Sequence, residues 1–246
     1  MALRMIFTSF FKALAQMTDP RFRRVLVMGV GLTIALLVAA TAGVLGLIGW
    51  LTGETSTLPL IGEVTWVNDV LGWGGLALML VLSVFLMVPV ASAIISLFLE
   101  DVAQAVEDRH YPGLPPAPSV PWSEALRDTV GFLGILIAAN IAALLLYVLL
   151  PFAAIVIFWG LNGYLLGREY FQLAAMRRIG RANAKALAKR NRGKIWLAGV
   201  LMAMPLSIPL VNLVIPILGA ATFTHLFHSV QTGRGQNAHK DQYHQG

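Results

Sequence analysis

The chain is 246 residues long, with 57% hydrophobic residues and only 12% Asp, Glu, Lys or Arg, half the share of about 25% in a soluble domain. The mean hydropathy is +0.74, and apolar blocks run for about 25 residues or more without a charge. These figures exclude a soluble enzyme domain, a disordered chain and a disulfide scaffold, since there is no cysteine at all. The net charge of +6 fits Lys and Arg gathered on cytoplasmic segments of a membrane protein better than a nucleic-acid partner.

From the N-terminus, Ile6, Phe7, Phe10, Phe11 and Leu14 recur at helical spacing, with Lys12 and Gln16 off that stripe. This predicts an amphipathic helix, seated in the cytoplasmic membrane interface or packed on other helices. It does not read as a cleavable signal peptide, because charge returns at Asp19 and Arg21 before a long apolar run forms.

Val25 to Gly53 then carries no charge over about 29 residues, where about 20 suffice to cross a bilayer. Gly29, Gly31, Gly43, Gly46 and Gly49 offer this span small-residue faces for close helix contact. The loop from Glu54 to Asp69 holds acids and no basic residue, and a second long span follows from Val70 to Leu99. It is expected to continue into a polar helical end, Glu100 to Arg109, stopped by Tyr111, Pro112 and Gly113.

Basic residues fix the expected orientation. Arg4, Lys12, Arg21, Arg23 and Arg24 lie before the first span, and Arg168 to Lys194 holds nine Lys or Arg against the single acid Glu169. Both regions are placed in the cytoplasm and the acidic loop outside. Residues 129–167 therefore begin and end on one side, yet their uncharged length of about 39 residues barely allows two spans, and Pro151 interrupts it. A hairpin of two short helices fits best. Ile195 to Phe227, about 33 residues broken by Pro205, Pro209 and Pro216, gives a second, re-entrant hairpin. Such half-depth elements need cover, which implies an oligomer or a polar pathway. The predicted fold is thus an all-α integral membrane protein: two long transmembrane helices, two re-entrant or hemi-penetrating helical hairpins and amphipathic interfacial helices. Residues 1–232 form one membrane domain. Arg177 to Arg192 reads as a basic surface helix, and the polar tail 233–246 as disordered.

The most informative short stretch is Thr18-Asp19-Pro20-Arg21-Phe22-Arg23-Arg24. Asp19 or Thr18 can cap the first span and Pro20 suits its first position. A helix N-terminus beside Arg21, Arg23 and Arg24 has the chemistry of an oxyanion site, although arginines beside a membrane helix also serve as ordinary anchors. His225 and His228, three apart, lack a third metal ligand and fit an interfacial pair. Glu100, Asp101, Glu107 and Asp108 suit a solvated helix end, and Arg168 with Glu169 a local ion pair or an interhelical contact. Asn140, Asn162 and Asn212 suit hydrogen bonds between helices, with Asn212, between Pro209 and Pro216, also placed to line a pathway. No nucleophile motif surrounds any Ser, so neither an enzyme nor a cofactor or metal site is expected.

Three stretches resemble one family. Leu161-Asn162-Gly163-Tyr164-Leu165-Leu166-Gly167-Arg168-Glu169-Tyr170, Pro205 to Pro216, and Phe98-Leu99-Glu100-Asp101-Val102 with Val106-Glu107 are similar, in order, to segments of the bacterial CysZ-like sulfate permeases, whose domain is shared with eukaryotic etoposide-induced proteins. The resemblance implies a multi-pass, oligomeric protein of the bacterial inner membrane, N-terminus cytoplasmic, taking up sulfate for cysteine synthesis. It also implies an anion site at a Gly-Leu-Arg-Arg-like stretch, where Arg23 and Arg24 match the two arginines, Phe22 replaces leucine and Arg21 replaces glycine. Sulfate or a related oxyanion would pass from there along the hairpin turn of Pro205, Pro209, Asn212 and Pro216, without ATP. A non-transporting scaffold, binding lipid or protein through the basic helix, is the alternative.

Overall fold

The computed structural model describes the backbone of residues 2–52, 56–58, 62–64, 66–118 and 122–243. Helices dominate. They run α1 (Ala2–Ala15), α2 (Pro20–Thr52), α3 (Trp66–Ser96), α4 (Leu99–His110), α5 (Trp122–Leu149), α6 (Ala154–Arg190), α7 (Arg192–Ala203), α8 (Pro209–Asn212) and α9 (Ile215–Tyr243). Two short strands, β1 (Ser56–Leu58) and β2 (Gly62–Val64), pair antiparallel between α2 and α3, with Thr57 opposite Glu63. The side chains of the acidic loop 54–69 lie outside the described residues.

The chain divides into two compact units, residues 1–25 with 98–246 and residues 26–97. The stretch of α2 from Pro20 to Trp50, most of it in the second unit, is long and apolar enough to cross a membrane, with a mean hydropathy of 2.4 and only 17% of its most apolar window buried. A soluble core helix of that hydropathy would be mostly covered, whereas here Leu32, Ile34, Leu36 and Val38 face outward. A shorter apolar stretch, Gly72–Met87, lies in α3. Of the α2 glycines only Gly29 is used for close contact within the protein, since an added Cβ would stand 2.3 Å from Ile95. Gly31, Gly43, Gly46 and Gly49 have open space around them. The polar end after α3 is a separate helix, because the backbone breaks between Ser96 and Leu99.

The first unit holds the core. The chain turns at Leu150–Ala153, where Pro151 opens a single 3-10 turn, but its arms are long rather than the short helices expected: α5 runs for 28 residues and α6 from Ala154 unbroken to Gly180. Their junction is apolar and bare: Val148, Leu149, Phe152 and Val156 are between 64% and 84% exposed. An exposed apolar tip of this kind marks a surface for lipid or for another protein. Further along, α6 bends sharply at Gly180, whose φ of 72° suits glycine and strains other residues. α7 then returns along α6 on a small-residue seam. A Cβ on Gly199 would lie 1.9 Å from the Gly163 carbonyl oxygen, and one on Gly167 would lie 2.6 Å from that of Ile195, so the two backbones touch.

The second proline-rich turn also falls where the sequence puts it. Met204–Ser207 is a 3-10 turn, α8 begins at Pro209, and α9 begins one residue before Pro216. The arms α7 and α9 pack on α6 and α1. From Ile215 to Phe227 every residue of α9 is buried, which makes this helix the centre of the unit. It continues to Tyr243, into the tail expected to be disordered; residues 244–246 lie outside the described residues. α1 lays Ile6, Ser9 and Ala13 inward, followed by Gln16 just past its end, and leaves Leu3, Phe7, Phe11 and Leu14 exposed. The helix thus carries two faces, with Gln16 on the packed one and Phe7, Phe11 and Leu14 on the bare one, instead of a single stripe shared with Ile6.

Candidate functional site

The start of α2 is built as its sequence dictates. Asp19 Oδ1 accepts a 2.9 Å hydrogen bond from the Arg21 backbone N–H, and the Asp19 carbonyl accepts from Arg23 N–H at 3.1 Å. Asp19 is therefore the cap, with Pro20 at the first helical position. Phe22, 1% exposed, is driven into the core and fixes the rotation of this first turn. Its neighbours Arg21, Arg23 and Arg24 are consequently held at the surface.

The three arginines differ in what they meet. Arg21 Nη1 lies 2.5 Å from Asp108 Oδ2, and Arg109 Nη1 lies 3.6 Å from Asp19 Oδ2. Gln16 Nε2 donates to both Asp19 Oδ2 and the Ala105 carbonyl at 3.1 Å. The end of α4 thereby clamps the α1–α2 junction. Partial burial alone would raise the Asp19 pKa, but the Arg21 N–H, the Gln16 amide and the Arg109 charge hold it below its ordinary value. Arg21 is thus neutralised by Asp108, whereas Arg23 and Arg24 have no ion pair among the described residues. Two exposed guanidinium groups beside a helix start can hold a tetrahedral oxyanion.

Beside this junction lies a constellation that the sequence did not announce. Glu107, expected at a solvated helix end, is 2% exposed. Its Oε2 accepts from Arg177 Nη1 at 3.0 Å and Arg178 Nη2 at 2.5 Å. Its Oε1 accepts from Arg178 Nε at 2.9 Å and lies 3.0 Å from His228 Nε2. Arg177 Nη2 reaches Gln104 Oε1 at 2.5 Å, and Arg178 Nη1 donates to the Pro115 carbonyl. Burial pushes the Glu107 pKa up, but the hydrogen bonds from His228 and Arg178 and the two arginine charges overcome it and bring it to about 2.

Tyr111 stacks on His228 with ring centroids 4.1 Å apart and shares a 3.0 Å hydrogen bond with His225 Nδ1. Burial, then the Glu107 charge, raises the Tyr111 pKa to about 12.

Several expectations are corrected by this packing. His225 and His228 are 1% and 7% exposed and lie inside the core, because α9 is covered on all sides there. Arg177 and Arg178 belong to the interior as well, so the basic surface segment begins only after Gly180. Arg168 forms no ion pair with Glu169, and its Nη1 is buried without a partner. Asn140 and Asn162 donate to carbonyls of their own helices, Leu136 at 2.8 Å and Phe158 at 2.9 Å, because a carbonyl one turn back is always within reach. Pro205 and Asn212 are half-buried and Pro216 is buried; the side chain of Pro209 lies outside the described residues. Among the described residues no three His, Asp or Glu side chains gather as a metal site. Glu107 carried one readable signal: it follows Leu99 and Ala103 at four-residue steps, on the buried stripe of α4.

A bare apolar helix long enough to cross a bilayer, an apolar hairpin tip and a cationic helix start together define a helical membrane protein. Residues 9–216 match the sulfate transporter CysZ/etoposide-induced protein 2.4 family, and the chain belongs to it. No curated protein sequence matches the chain.

Proposed function

We propose that the protein is a sulfate permease of the bacterial inner membrane, feeding cysteine synthesis and driven without ATP. Sulfate is gathered at the cytoplasm-proximal start of α2 by Arg23 and Arg24. Arg21 tunes that site through its pair with Asp108 rather than serving as a third free cation. The anion then moves along the proline-broken turn of Pro205, Pro209, Asn212 and Pro216 in an oligomer whose neighbouring copies and lipids cover the hairpins. α3 is the second transmembrane helix, and the N-terminus is cytoplasmic by the distribution of Lys and Arg. The observation that carries this reading is the pair of arginines without an ion pair on the first turn of α2, a helix long and apolar enough to cross a membrane, within the stretch that matches the family.

The test is uptake of labelled sulfate into proteoliposomes by the wild type and by an Arg23→Ala/Arg24→Ala variant. Saturable uptake that collapses in a folded variant supports the permease and the site. Uptake that survives moves the anion elsewhere. Liposomes with protein that take up no more sulfate, sulfite or thiosulfate than empty ones favour the scaffold reading.

A further inference from the structure

A second cationic site lies where α6 and α7 meet. The bend at Gly180 and the tight turn at Asn191 bring the two parts of α6 and the start of α7 around a cavity of about 640 Å³. Its polar wall carries Arg168, Lys185, Lys189 and Arg192, and no carboxylate lines it among the described residues. Lys189 and Arg192 are exposed and form no ion pair among those residues, and Arg168 Nη1 is buried without any acceptor. A buried guanidinium nitrogen lacking an acceptor is costly and marks a place for a bound anion. The start of α7 adds unsatisfied N–H groups, because Asn191 turns its side chain back to the Leu187 carbonyl at 3.1 Å instead of capping the helix.

The lining also includes Ile195 and the aromatic residues Tyr164 and Trp196. Trp196 is 47% exposed, and its Nε1 donates to the Gly160 carbonyl at 3.0 Å. Exposed Trp and Tyr beside Lys and Arg form the pattern of a membrane–water interface. The cavity has room for about 20 water molecules, far more than one inorganic anion fills.

We propose that this cavity binds a tetrahedral oxyanion, presented as the phosphate headgroup of an anionic phospholipid whose acyl chains leave past Trp196 and Tyr164. The site shares no residue with the arginine cluster of α2, and its occupancy does not depend on transport.

The purified full chain in neutral detergent tests this through its thermal unfolding midpoint. Dioleoyl phosphatidylglycerol, dioleoyl phosphatidylcholine, sodium phosphate and sodium sulfate are titrated separately onto the wild type and a Lys189→Gln/Arg192→Gln variant. Both substituted residues are exposed, so the variant keeps its unliganded midpoint. Phosphatidylglycerol is expected to stabilise the wild type at lower concentration than phosphatidylcholine. The variant should need about 30-fold more of it, the effect of two lost cations. Because sulfate and phosphate salts strengthen any fold, only a shift that differs between wild type and variant counts as binding. Such a shift from the salts, with none from phosphatidylglycerol, keeps the oxyanion site and makes the free ion its source. Curves for all four ligands that superimpose between wild type and variant overturn the proposal. An Arg168→Gln variant gives the second reading should the double variant melt early.

Discussion

Arg177 and Glu107 lie 3.0 Å apart, 70 positions apart in sequence, with side chains 8% and 2% exposed. A buried pair of this kind adds little over an apolar core, yet breaking it from one side is expensive, because the remaining charges lose their counter-charge without returning to water. Glu107 answers two arginines at once, so it is the member whose loss does most harm. Glu107→Gln is expected to cost about 3–5 kcal/mol and to lower the thermal midpoint sharply. Glu100→Gln, on the exposed side of the same helix, should stay within about 0.5 kcal/mol. Equal effects of the two substitutions would remove Glu107 from its central place.

The same carboxylate sets an acid limit. Its pKa falls from 4.5 in the unfolded chain to about 2 in the folded one, so its contribution is complete above about pH 4.5 and fades as the pH drops toward 2. The difference is worth about 3 kcal/mol at 1.36 kcal/mol per pH unit. Melting curves at pH 7, 5 and 3 should show the wild type losing about half of this margin between the last two, on top of what other carboxylates cause. The Glu107→Gln variant should lose correspondingly less, and parallel losses would contradict the assignment.

The α6–α7 seam leaves no space for a methyl group. Gly199→Ala places a Cβ 1.9 Å from the Gly163 carbonyl oxygen, against backbone that cannot swing aside, and should cost about 3 kcal/mol or more. Gly43→Ala, in α2 with nothing within 4 Å, should be neutral or gain about 0.5–1 kcal/mol from the lower entropy of the unfolded chain. Detergent-extracted yield and melting midpoint compare the two directly. A Gly199→Ala protein as stable as the wild type would contradict the close approach.

Asp108 is predicted to act on the anion site through Arg21. The pair is exposed, with side chains 56% and 44% accessible, so Asp108→Asn should change stability by less than about 1 kcal/mol. It releases a third guanidinium at the start of α2. On the permease reading the half-saturating sulfate concentration should fall about fivefold, the equivalent of about 1 kcal/mol. An unchanged or raised value would mean that Arg21 takes no part.

Phe22 sets the aim of the arginines on either side of it. Phe22→Ala should destabilise by about 3–5 kcal/mol, whereas Phe22→Leu, which restores the residue of the family-like stretch, should cost less than about 1.5 kcal/mol and keep sulfate uptake. Loss of uptake in a stable Phe22→Leu protein would separate the ring itself from its packing role.

What the sequence could reveal follows physical range. Pro151 and the group Pro205, Pro209 and Pro216 mark both turns, because a proline restricts its own backbone whatever surrounds it. Asp19 and Pro20 mark the start of α2 for the same local reason. The length and apolarity of α2 name its environment. The partners of Glu107 come from α6 and α9, and nothing local to α4 says that two arginines and a histidine will be waiting there. Composition misplaces Arg177 and Arg178 for the same reason, since a basic run does not disclose that Gly180 divides its buried part from its surface part. The two faces of α1 likewise separate only when α9 is present to cover one of them.

That dependence of α1 on α9 has a consequence for biogenesis. About 200 residues separate the end of α1 from the start of α9, which at about 5–20 residues per second is a delay of about 10–40 seconds on the ribosome. Through that interval the inward side of α1, with Ile6, Ser9 and Ala13, lacks the helix that covers most of it, although α4 reaches Gln16 earlier, while the Phe7–Phe11 side is already complete. On the reading of α1 as an interfacial helix, the lipid surface is the first partner it can acquire, and α9 the last. With α1 read as an interfacial helix, the chain would be tethered to its bilayer before the core that will hold Glu107 has come into existence.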